Sequence, residues 1–315
     1  MQERALSIRI IHFCNAEILW ECRDKTNPIC PCGFEAKSGR SDSVIGPCAF
    51  NNNKKGDLRK TWQKIVCAYT RGSLSYQSDR LQAISGLARR FALQNIPYVA
   101  GMWCSESMIQ DLGWYNTKGF RTPRFFQEHA LQIEEGMHTS ERLPQDYAPS
   151  WSWVCIDAPV SFDHQLNDRV LDWGVKDVAY TYASSDCFGP VASAALVLES
   201  YVFPVSQIDA NSLLLFTDKY LGDCFISWDK GSEGGEWGES GFEFRVIVAC
   251  WDLLNFTGLI ARRKSADAYG KHLCKETWQR IGLVWFKHEG RLRTNWSHSI
   301  KEWKSNNSKH LITLI

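Results

Sequence analysis

The sequence lacks an excess of charge of either sign. Lysine and arginine total 36 against 35 aspartate and glutamate residues, which leaves a formal net charge of +1. Nucleic-acid binding needs a positive field that displaces counterions, and this balance supplies none over the whole chain. We therefore expect no nucleic-acid partner, and the short basic run Arg262-Arg263-Lys264 is interpreted as a solvated loop.

Long apolar segments are missing as well. The N-terminus starts with Met1-Gln2-Glu3-Arg4 and lacks the apolar core of a secretory signal. No stretch approaches the roughly 20 apolar residues that a membrane-spanning helix needs. We therefore expect a cytoplasmic protein without a membrane partner, in which the 12 cysteines are reduced thiols.

The known signatures of catalytic and cofactor sites are absent too. The sequence has no His-Glu-x-x-His, no phosphate-binding loop and no dinucleotide fingerprint. Asp186-Cys187-Phe188-Gly189 resembles the Asp-Phe-Gly of protein kinases, but it contains an inserted cysteine and no catalytic loop accompanies it. The sequence thus predicts no catalytic residue and no cofactor, which favours a protein that is not an enzyme. A hydrolase with an unrecognised site is the enzymatic alternative.

One cysteine pair is the best candidate for a metal site. Cys30 and Cys32 are separated by a single proline, and Cys22 and Cys48 lie nearby in the sequence. Structural zinc sites use two close pairs, commonly with Cys-x-x-Cys spacing. Because the second pair is missing, thiols without a metal are favoured over zinc, and we predict no metal-binding residue.

The N-terminal third divides into two segments of different character. Residues 1–23 predict the end of a helix and then a β-hairpin, because two β-rich runs flank a short turn. Residues 24–56 lack periodicity and are expected to form a loop or a disordered linker. A two-stranded hairpin is marginal in water, so an exposed one is a surface for self-association.

Residues 57–147 are expected to form a helical region. Over 57–71 and 79–93, apolar residues recur at helical spacing, with Ser78 or Asp79 as the N-cap of the second helix. A third helix is expected after Pro97. The apolar faces predicted for the three helices comprise Trp62, Ile65, Val66 and Tyr69; Leu81, Ile84, Leu87, Ala88 and Phe91; and Val99, Met102, Trp103, Ile109 and Leu112.

From residue 148 to residue 315 the pattern changes to short runs of valine, isoleucine and aromatic residues between turns. Such runs are typical of antiparallel strands. The predicted strands are Ser150–Ile156, Val178–Tyr182, Ala194–Val202, Leu213–Phe216, Cys224–Trp228, Phe244–Trp251, Gly258–Ala261 and Ile281–Phe286. The expected fold class is α+β, with a small helical layer followed by an antiparallel β-rich, sandwich- or barrel-like C-terminal region.

Several segments, in chain order, resemble fungal heterokaryon-incompatibility proteins. Met1–Ser7, Ile11–Phe13 and Leu19–Cys22 resemble the last block of the HET domain of that family. The string Ala148-Pro149-Ser150-Trp151-Ser152-Trp153 is the most distinctive of the segments that follow. The others are Trp62–Tyr69, Leu74-Ser75, Ser78–Ala88, Tyr98–Trp103, Leu112–Tyr115, Gln279–Leu283 and Ile312–Ile315.

The resemblance implies a role in allorecognition and programmed cell death, carried out through protein partners of incompatibility signalling. Residues 1–23 correspond to the end of the HET domain, and its earlier blocks are missing, so we expect a truncated protein. Any catalytic role of the missing blocks is not transferred to this chain. The aromatic motifs are interpreted as fold signatures, with Trp151 and Trp153 on one face of a strand.

A different interpretation starts from the 14 tryptophans. The β-rich region could bind a glycan or another small ligand by stacking it on the exposed side chains of Trp228, Trp237 and Trp251. This alternative requires that the rings are accessible.

Overall fold

A computed structural model describes residues 6–7, 9–13, 15, 18–22, 58–92, 96–118, 120–121, 141–143, 147–163, 166, 169–209, 212–215, 225–229, 243–251, 255–264, 276–287 and 301–315. The chain divides into two compact units, Met1–Ile96 and Pro97–Ile315. Within the described ranges no helix has the length and apolar character to cross a membrane.

The first unit contains the predicted hairpin. Strand β1 (Arg9–Phe13) pairs antiparallel with β2 (Ile18–Cys22). Ile11 and Phe13 lie two residues apart on β1, and their exposed fractions are 49% and 81%. The hairpin therefore presents apolar side chains to solvent, as an association surface would.

Two helices of the first unit also follow the prediction. Helix α1 (Leu58–Thr70) and helix α2 (Gln82–Phe91) bury every apolar residue assigned to their inner faces. The rings of Trp62 and Phe91 meet edge to face at 5.6 Å, and the Tyr69 hydroxyl donates to the backbone oxygen of Arg80 at 2.7 Å. Both contacts join the two helical segments.

The predicted cap of α2 is wrong. A 3₁₀ turn (Gln77–Asp79) precedes the helix, and α2 begins only after Leu81, whose side chain makes no capping hydrogen bond. Leu81 is fully buried. The helix thus begins at a buried leucine and not at the predicted polar cap.

A third helix does not start at Pro97, which is a second correction. Strands β3 (Tyr98–Val99) and β4 (Met102–Trp103) form a tight hairpin, and helix α3 (Met108–Asp111) is only one turn long. The cause is the turn Ala100-Gly101, where φ is 47° and 89°. Positive φ at two successive residues ends any right-handed helix. The predicted apolar residues are still buried, so only their secondary structure was wrong.

The predicted strand Ser150–Ile156 is also corrected. Residues 150–152 form a turn, a 3₁₀ helix (Trp153–Cys155) follows, and only β8 (Ile156–Asp157) is extended. The Ser152 side chain accepts from the backbone N–H of Val154 at 3.0 Å and caps the 3₁₀ helix. The predicted burial of the two tryptophans nevertheless holds, because Trp151 and Trp153 are 0% and 1% exposed.

Two small sheets lie beside this turn. Strand β7 (Glu141–Arg142) pairs with β8, and β5 (Trp114–Asn116) pairs with β9 (Val160–Phe162), both antiparallel. These short strands were not predicted, since two or three residues carry too little periodicity to be recognised.

The main element of the second unit is a ten-stranded, mostly antiparallel sheet, so the predicted α+β class with a β-rich C-terminal region is confirmed. The strands are β6 (Phe120–Arg121), β10 (Gly174–Tyr182), β11 (Val191–Ser200), β12 (Val202–Asp209), β13 (Ser212–Leu215), β14 (Phe225–Trp228), β15 (Phe244–Trp251), β16 (Asn255–Lys264), β17 (Thr277–Lys287) and β18 (His310–Leu314). Their order is β10-β11-β18-β17-β16-β15-β12-β13, while β14 pairs with β17 and β6 pairs with β14.

Strand β17 is the organising element of this sheet. It pairs along one edge with β16, and along the other with β18 at Thr277 and then with β14 from Gly282 onward. A Cβ at Gly282 would lie 2.7 Å from the backbone oxygen of Ser227. Only glycine therefore lets β14 approach at this position.

The core of the sheet lies on β14 to β17. Its members are Ile226, Trp228, Phe244, Val246, Val248, Phe256, Ile260, Ile281 and Val284, all at most 8% exposed. Burial of an apolar side chain of this size contributes about 1.5–3 kcal/mol. Each of these buried side chains therefore stabilises the described part of the sheet by that order of free energy.

Candidate functional site

The distinctive string Ala148–Trp153 lies at the junction of several elements. The backbone N–H and the hydroxyl of Ser150 both donate to the terminal residue's oxygen, Ile315 O, the former at 3.1 Å. The same hydroxyl oxygen accepts from the backbone N–H of Arg280 at 3.0 Å. One serine therefore joins this turn to strand β17 and to the end of the chain.

The next residues of the string bind the β3–β4 turn. The Ser152 hydroxyl donates to Ala100 O, and the Trp153 indole N–H donates to Gly101 O at 2.9 Å. A Cβ at Gly101 would lie 2.6 Å from Val154 Cγ2 and 2.9 Å from the Trp153 ring. The turn thus depends on a glycine for its φ and for the close approach of the tryptophan.

Trp114 is a third fully buried tryptophan at this junction. Its indole N–H donates to the backbone oxygen of Trp151 at 2.8 Å. The guanidinium carbon of Arg280 lies 3.5 Å from the centroid of the Trp114 ring. Because both side chains are fully buried, this cation–π contact is made without competition from water.

Both terminal nitrogens of Arg280 donate hydrogen bonds to backbone oxygens. One donates to Leu112 O at 2.7 Å, and the other donates to Trp114 O. Its Nε lies 3.4 Å from Asp229 Oδ2, and both of these side chains are 0% exposed. Burial lowers the pKa of Arg280, whereas the charge of Asp229 raises it.

A second arginine reaches the same carboxylate. Arg142 Nη2 lies 3.2 Å from Asp229 Oδ2 and also donates to Arg280 O at 2.8 Å. The Arg142 side chain is 11% exposed, so these ion-paired side chains extend from the interior to the surface. We refer to Trp114, Arg142, Asp229 and Arg280 as the Arg280 cluster.

Asn116 extends the Arg280 cluster to β14. Its side-chain N–H groups donate to Trp228 O at 3.2 Å and Asp229 O at 3.3 Å, and its backbone oxygen accepts from the Ser227 hydroxyl at 2.7 Å. Removal of a partner from such a group leaves buried polar atoms unsatisfied. The Arg280 cluster is thereby held from three elements of the second unit.

The chemistry of the Arg280 cluster is structural. Its donors are directed at backbone oxygens and at one carboxylate, and no nucleophile stands beside a general base within it. Arg142 Nη1 also donates to the Cys155 sulfur at 3.4 Å, and Cys155 is 2% exposed. Such a thiol is shielded from reagents.

The tryptophans assigned to a ligand surface are placed differently from one another. Trp228 is 1% exposed, so the prediction that it stacks on a ligand is wrong. Trp237 lies outside the described residues. Trp251 is half-buried and meets Phe203 at 5.5 Å and Trp303 at 5.2 Å.

These rings belong to an aromatic cluster of Tyr201, Phe203, Trp251 and Trp303. Trp303, in helix α4 (residues 301–306), stacks on Phe203 with ring centroids 4.4 Å apart. The neighbouring Lys304 forms an ion pair with Asp172 at 2.7 Å. The aromatic cluster therefore attaches a short helix to the sheet.

Other candidates find no support as sites. In the part of the chain that the structure describes, no group of three or more His, Cys, Asp or Glu side chains could hold a metal. Cys30, Cys32 and Cys48 lie outside the described residues, as does the side chain of Cys22.

The basic run Arg262-Arg263-Lys264 belongs to β16 and is not a loop, which corrects the prediction. Arg263 pairs with Glu243 at 2.8 Å and with Glu276 at 3.4 Å, while Arg262 donates to Gln279 at 2.8 Å. The acidic partners offset the positive charge of the run, so it is a poor phosphate-binding surface.

Sequence reasoning missed the members of the Arg280 cluster as a group. Trp114 and Arg280 stand inside segments that carry the family resemblance, but nothing local connects them to Arg142 or Asp229. The usable signal was a charged residue inside the otherwise apolar strand around Ile281. Comparison with protein-family models, curated proteins and solved structures found no match.

Proposed function

We propose that this chain is an interaction or regulatory module of fungal heterokaryon-incompatibility signalling, which acts in the cytoplasm through protein partners and without a reaction of its own. The family assignment rests on the collinear motifs of the sequence. One structural observation supports the proposal best: five of those motifs meet at the Arg280 cluster and its neighbours.

The convergence involves segments that are far apart in the chain. Tyr98–Trp103 supplies the turn that Ser152 and Trp153 bind, and Leu112–Tyr115 supplies Trp114 and the oxygens that Arg280 binds. Gln279–Leu283 supplies Arg280, and Ile312–Ile315 supplies the oxygen that Ser150 binds. Contacts between these segments support one another within one core, which is the role we propose for fold signatures of the family.

Because the motif residues are buried in contacts that hold the fold together, partners must bind to other surfaces of the chain. The β1–β2 hairpin offers one, since Ile11 and Phe13 are exposed on it and a two-stranded sheet leaves hydrogen-bonding edges unpaired. We assign self-association or partner binding to this hairpin.

The proposal is tested by expression of the chain in a filamentous fungus during fusion of incompatible strains. We expect expression to change the frequency of cell death at fusion. The paired substitution Ile11→Ser and Phe13→Ser should abolish this effect while the protein stays folded. Lys176→Ala and Glu199→Ala, an exposed pair in the second unit, serve as the matched control. Folded wild-type protein that leaves the death frequency unchanged contradicts the proposal.

A second candidate function is binding of a glycan or another small aromatic-stacking ligand. It is favoured by the aromatic cluster, whose four side chains are all only half-buried. A glycan array with wild-type protein and with Trp251→Ala separates the two functions. Binding that the variant loses supports the ligand site, and an array without any binding removes it.

A further inference from the structure

Three rings of the second unit form a socket around a side chain of helix α4. The walls of this aromatic socket are Tyr201, Phe203 and Trp251. Their ring centroids lie 5.5, 4.4 and 5.2 Å from that of the Trp303 ring. Phe203 is stacked on Trp303 at an interplanar angle of 23°, while the other two rings are inclined to Trp303 by 53° to 63°. The aromatic socket therefore fits a flat aromatic ring.

The aromatic socket is held by the core of the sheet. All three of its residues pack against the core cluster of β14 to β17. Phe256, which is 1% exposed, lies 6.4 Å from Phe203 and 6.0 Å from Trp251, measured between ring centroids. Since these contacts are independent of helix α4, we expect the aromatic socket to persist when Trp303 leaves it. Such a site is organised before its ligand binds.

A carboxylate stands beside the aromatic socket and is oriented by β15. Asp172 Oδ2 accepts from the backbone N–H of Trp251 at 2.7 Å, and the backbone N–H of Asp172 donates to Ala249 O at 2.8 Å. The Lys304 ammonium group donates to Asp172 Oδ1 at 2.7 Å and to Trp251 O at 2.8 Å. Because Asp172 is only 9% exposed, its charge requires a cationic partner at this position.

Helix α4 is attached to these groups through two adjacent side chains. In the described segment 301–309, Trp303 and Lys304 are half-buried and the other residues are exposed. A cation–π contact of Lys309 with the Tyr201 ring, at 5.6 Å, is a further and weaker attachment. A segment that buries so few side chains opens at a lower free energy than the core of the sheet.

We propose that helix α4 occupies a peptide-binding site of its own chain, and that this site takes a partner-protein segment in which an aromatic residue is directly followed by lysine. The resident pair Trp303-Lys304 has the chemistry that fits, with a flat ring in the aromatic socket and an ammonium group on Asp172. A partner segment competes with α4 for these contacts. The measured affinity is therefore reduced to the extent that α4 keeps the site closed.

This inference adds a second interaction surface to the hairpin, and it gives the aromatic cluster a ligand other than a glycan. It depends neither on the family resemblance nor on Ile11 and Phe13. Peptide binding can therefore fail while the effect on cell death at fusion remains, and that effect can fail while the peptide binds.

The test follows the fluorescence anisotropy of a dye-labelled peptide with the sequence of residues 301–306, Lys-Glu-Trp-Lys-Ser-Asn, as the full chain is added. The double variant Trp303→Ala and Lys304→Ala removes the resident side chains from the site. We expect it to bind the peptide at least about tenfold more tightly than the wild type. The matched control, Lys301→Ala and Glu302→Ala, changes exposed residues of the same helix and should bind like the wild type.

Changes in the peptide show which groups the site recognises. Alanine in place of the peptide's tryptophan should weaken binding to the double variant at least about tenfold, and so should alanine in place of the lysine that follows. Alanine in place of the first lysine, which corresponds to the exposed Lys301, should leave binding unchanged.

The melting transition of each protein shows whether it is folded. A folded double variant that does not bind the peptide overturns the proposal, as does equal binding of the peptides that lack the tryptophan or the following lysine. Lys304→Ala keeps the ring contacts and is the second opened form. If the double variant does not fold, binding to Lys304→Ala that is no tighter than to the wild type overturns the proposal. Mixed dimers of the wild type with the double variant make a second copy the occupant and overturn the assignment to a partner.

Discussion

Replacement of Arg280 by methionine is expected to destabilise the second unit severely. The change keeps side-chain volume but removes the ion pair with Asp229, two hydrogen bonds to backbone oxygens and the cation–π contact with Trp114. Loss of one partner of a buried ion pair costs about 3–5 kcal/mol. Arg142 still pairs with Asp229 in this variant, so the cost comes from the lost ion pair, hydrogen bonds and cation–π contact together. For a unit of this size, that corresponds to a fall in melting temperature of roughly 6–20 °C.

Thermal melting followed by tryptophan fluorescence measures this effect well. Of the 14 tryptophans, all but Trp20 and Trp62 belong to the second unit. Arg263→Met is the matched control, since its side chain is 43% exposed and surface ion pairs contribute only about 0–1 kcal/mol.

A double substitution measures the coupling between Arg280 and Asp229. Arg280→Met combined with Asp229→Asn should cost less than the sum of the two single changes, because the two side chains interact directly. If Arg280→Met melts within about 2 °C of the wild type, a shift that corresponds to under 1 kcal/mol, the Arg280 cluster does not fasten the unit.

Three further predictions follow from neighbouring residues. Trp151→Ala should cost about 3–5 kcal/mol in urea unfolding, since its ring is fully buried, and wild-type-like unfolding would refute that packing. Gly101→Val should cost at least about 1–3 kcal/mol through its positive φ and close contacts, whereas Gly174→Ala, with no neighbouring atom within 4 Å, should stay near the wild type. Stability should fall between pH 9 and pH 12, because the raised pKa of Cys104 lets the folded state hold a proton that the unfolded state loses; Cys104→Ala should flatten this part of the stability profile.

Much of the fold could be predicted from periodic patterns. The faces of α1 and α2 follow from apolar residues at helical spacing, and β15 has the predicted bounds Phe244–Trp251. Long elements repeat their signal over several turns or pleats, so one unusual residue does not obscure it. Burial could be predicted even where secondary structure was not, as Met102 and Trp153 show.

The errors share a physical cause. Ala100-Gly101 and the turn before Trp153 are short segments whose conformation is set by hydrogen bonds to distant residues. Strand β18 pairs in parallel with β17, and nothing in the five residues of β18 indicates which strand it pairs with. The Arg280 cluster is the extreme case, because Arg142, Asp229 and Arg280 become neighbours only once the sheet has formed.

Hydrogen exchange followed by mass spectrometry would test most directly whether the motif segments form one cooperative junction. Peptides that cover Tyr98–Trp103, Leu112–Tyr115, Ala148–Trp153 and Gln279–Leu283 should open with one shared free energy and should all lose protection in Arg280→Met. Early exchange of Ala148–Trp153 alone, unaffected by that substitution, would contradict a shared junction.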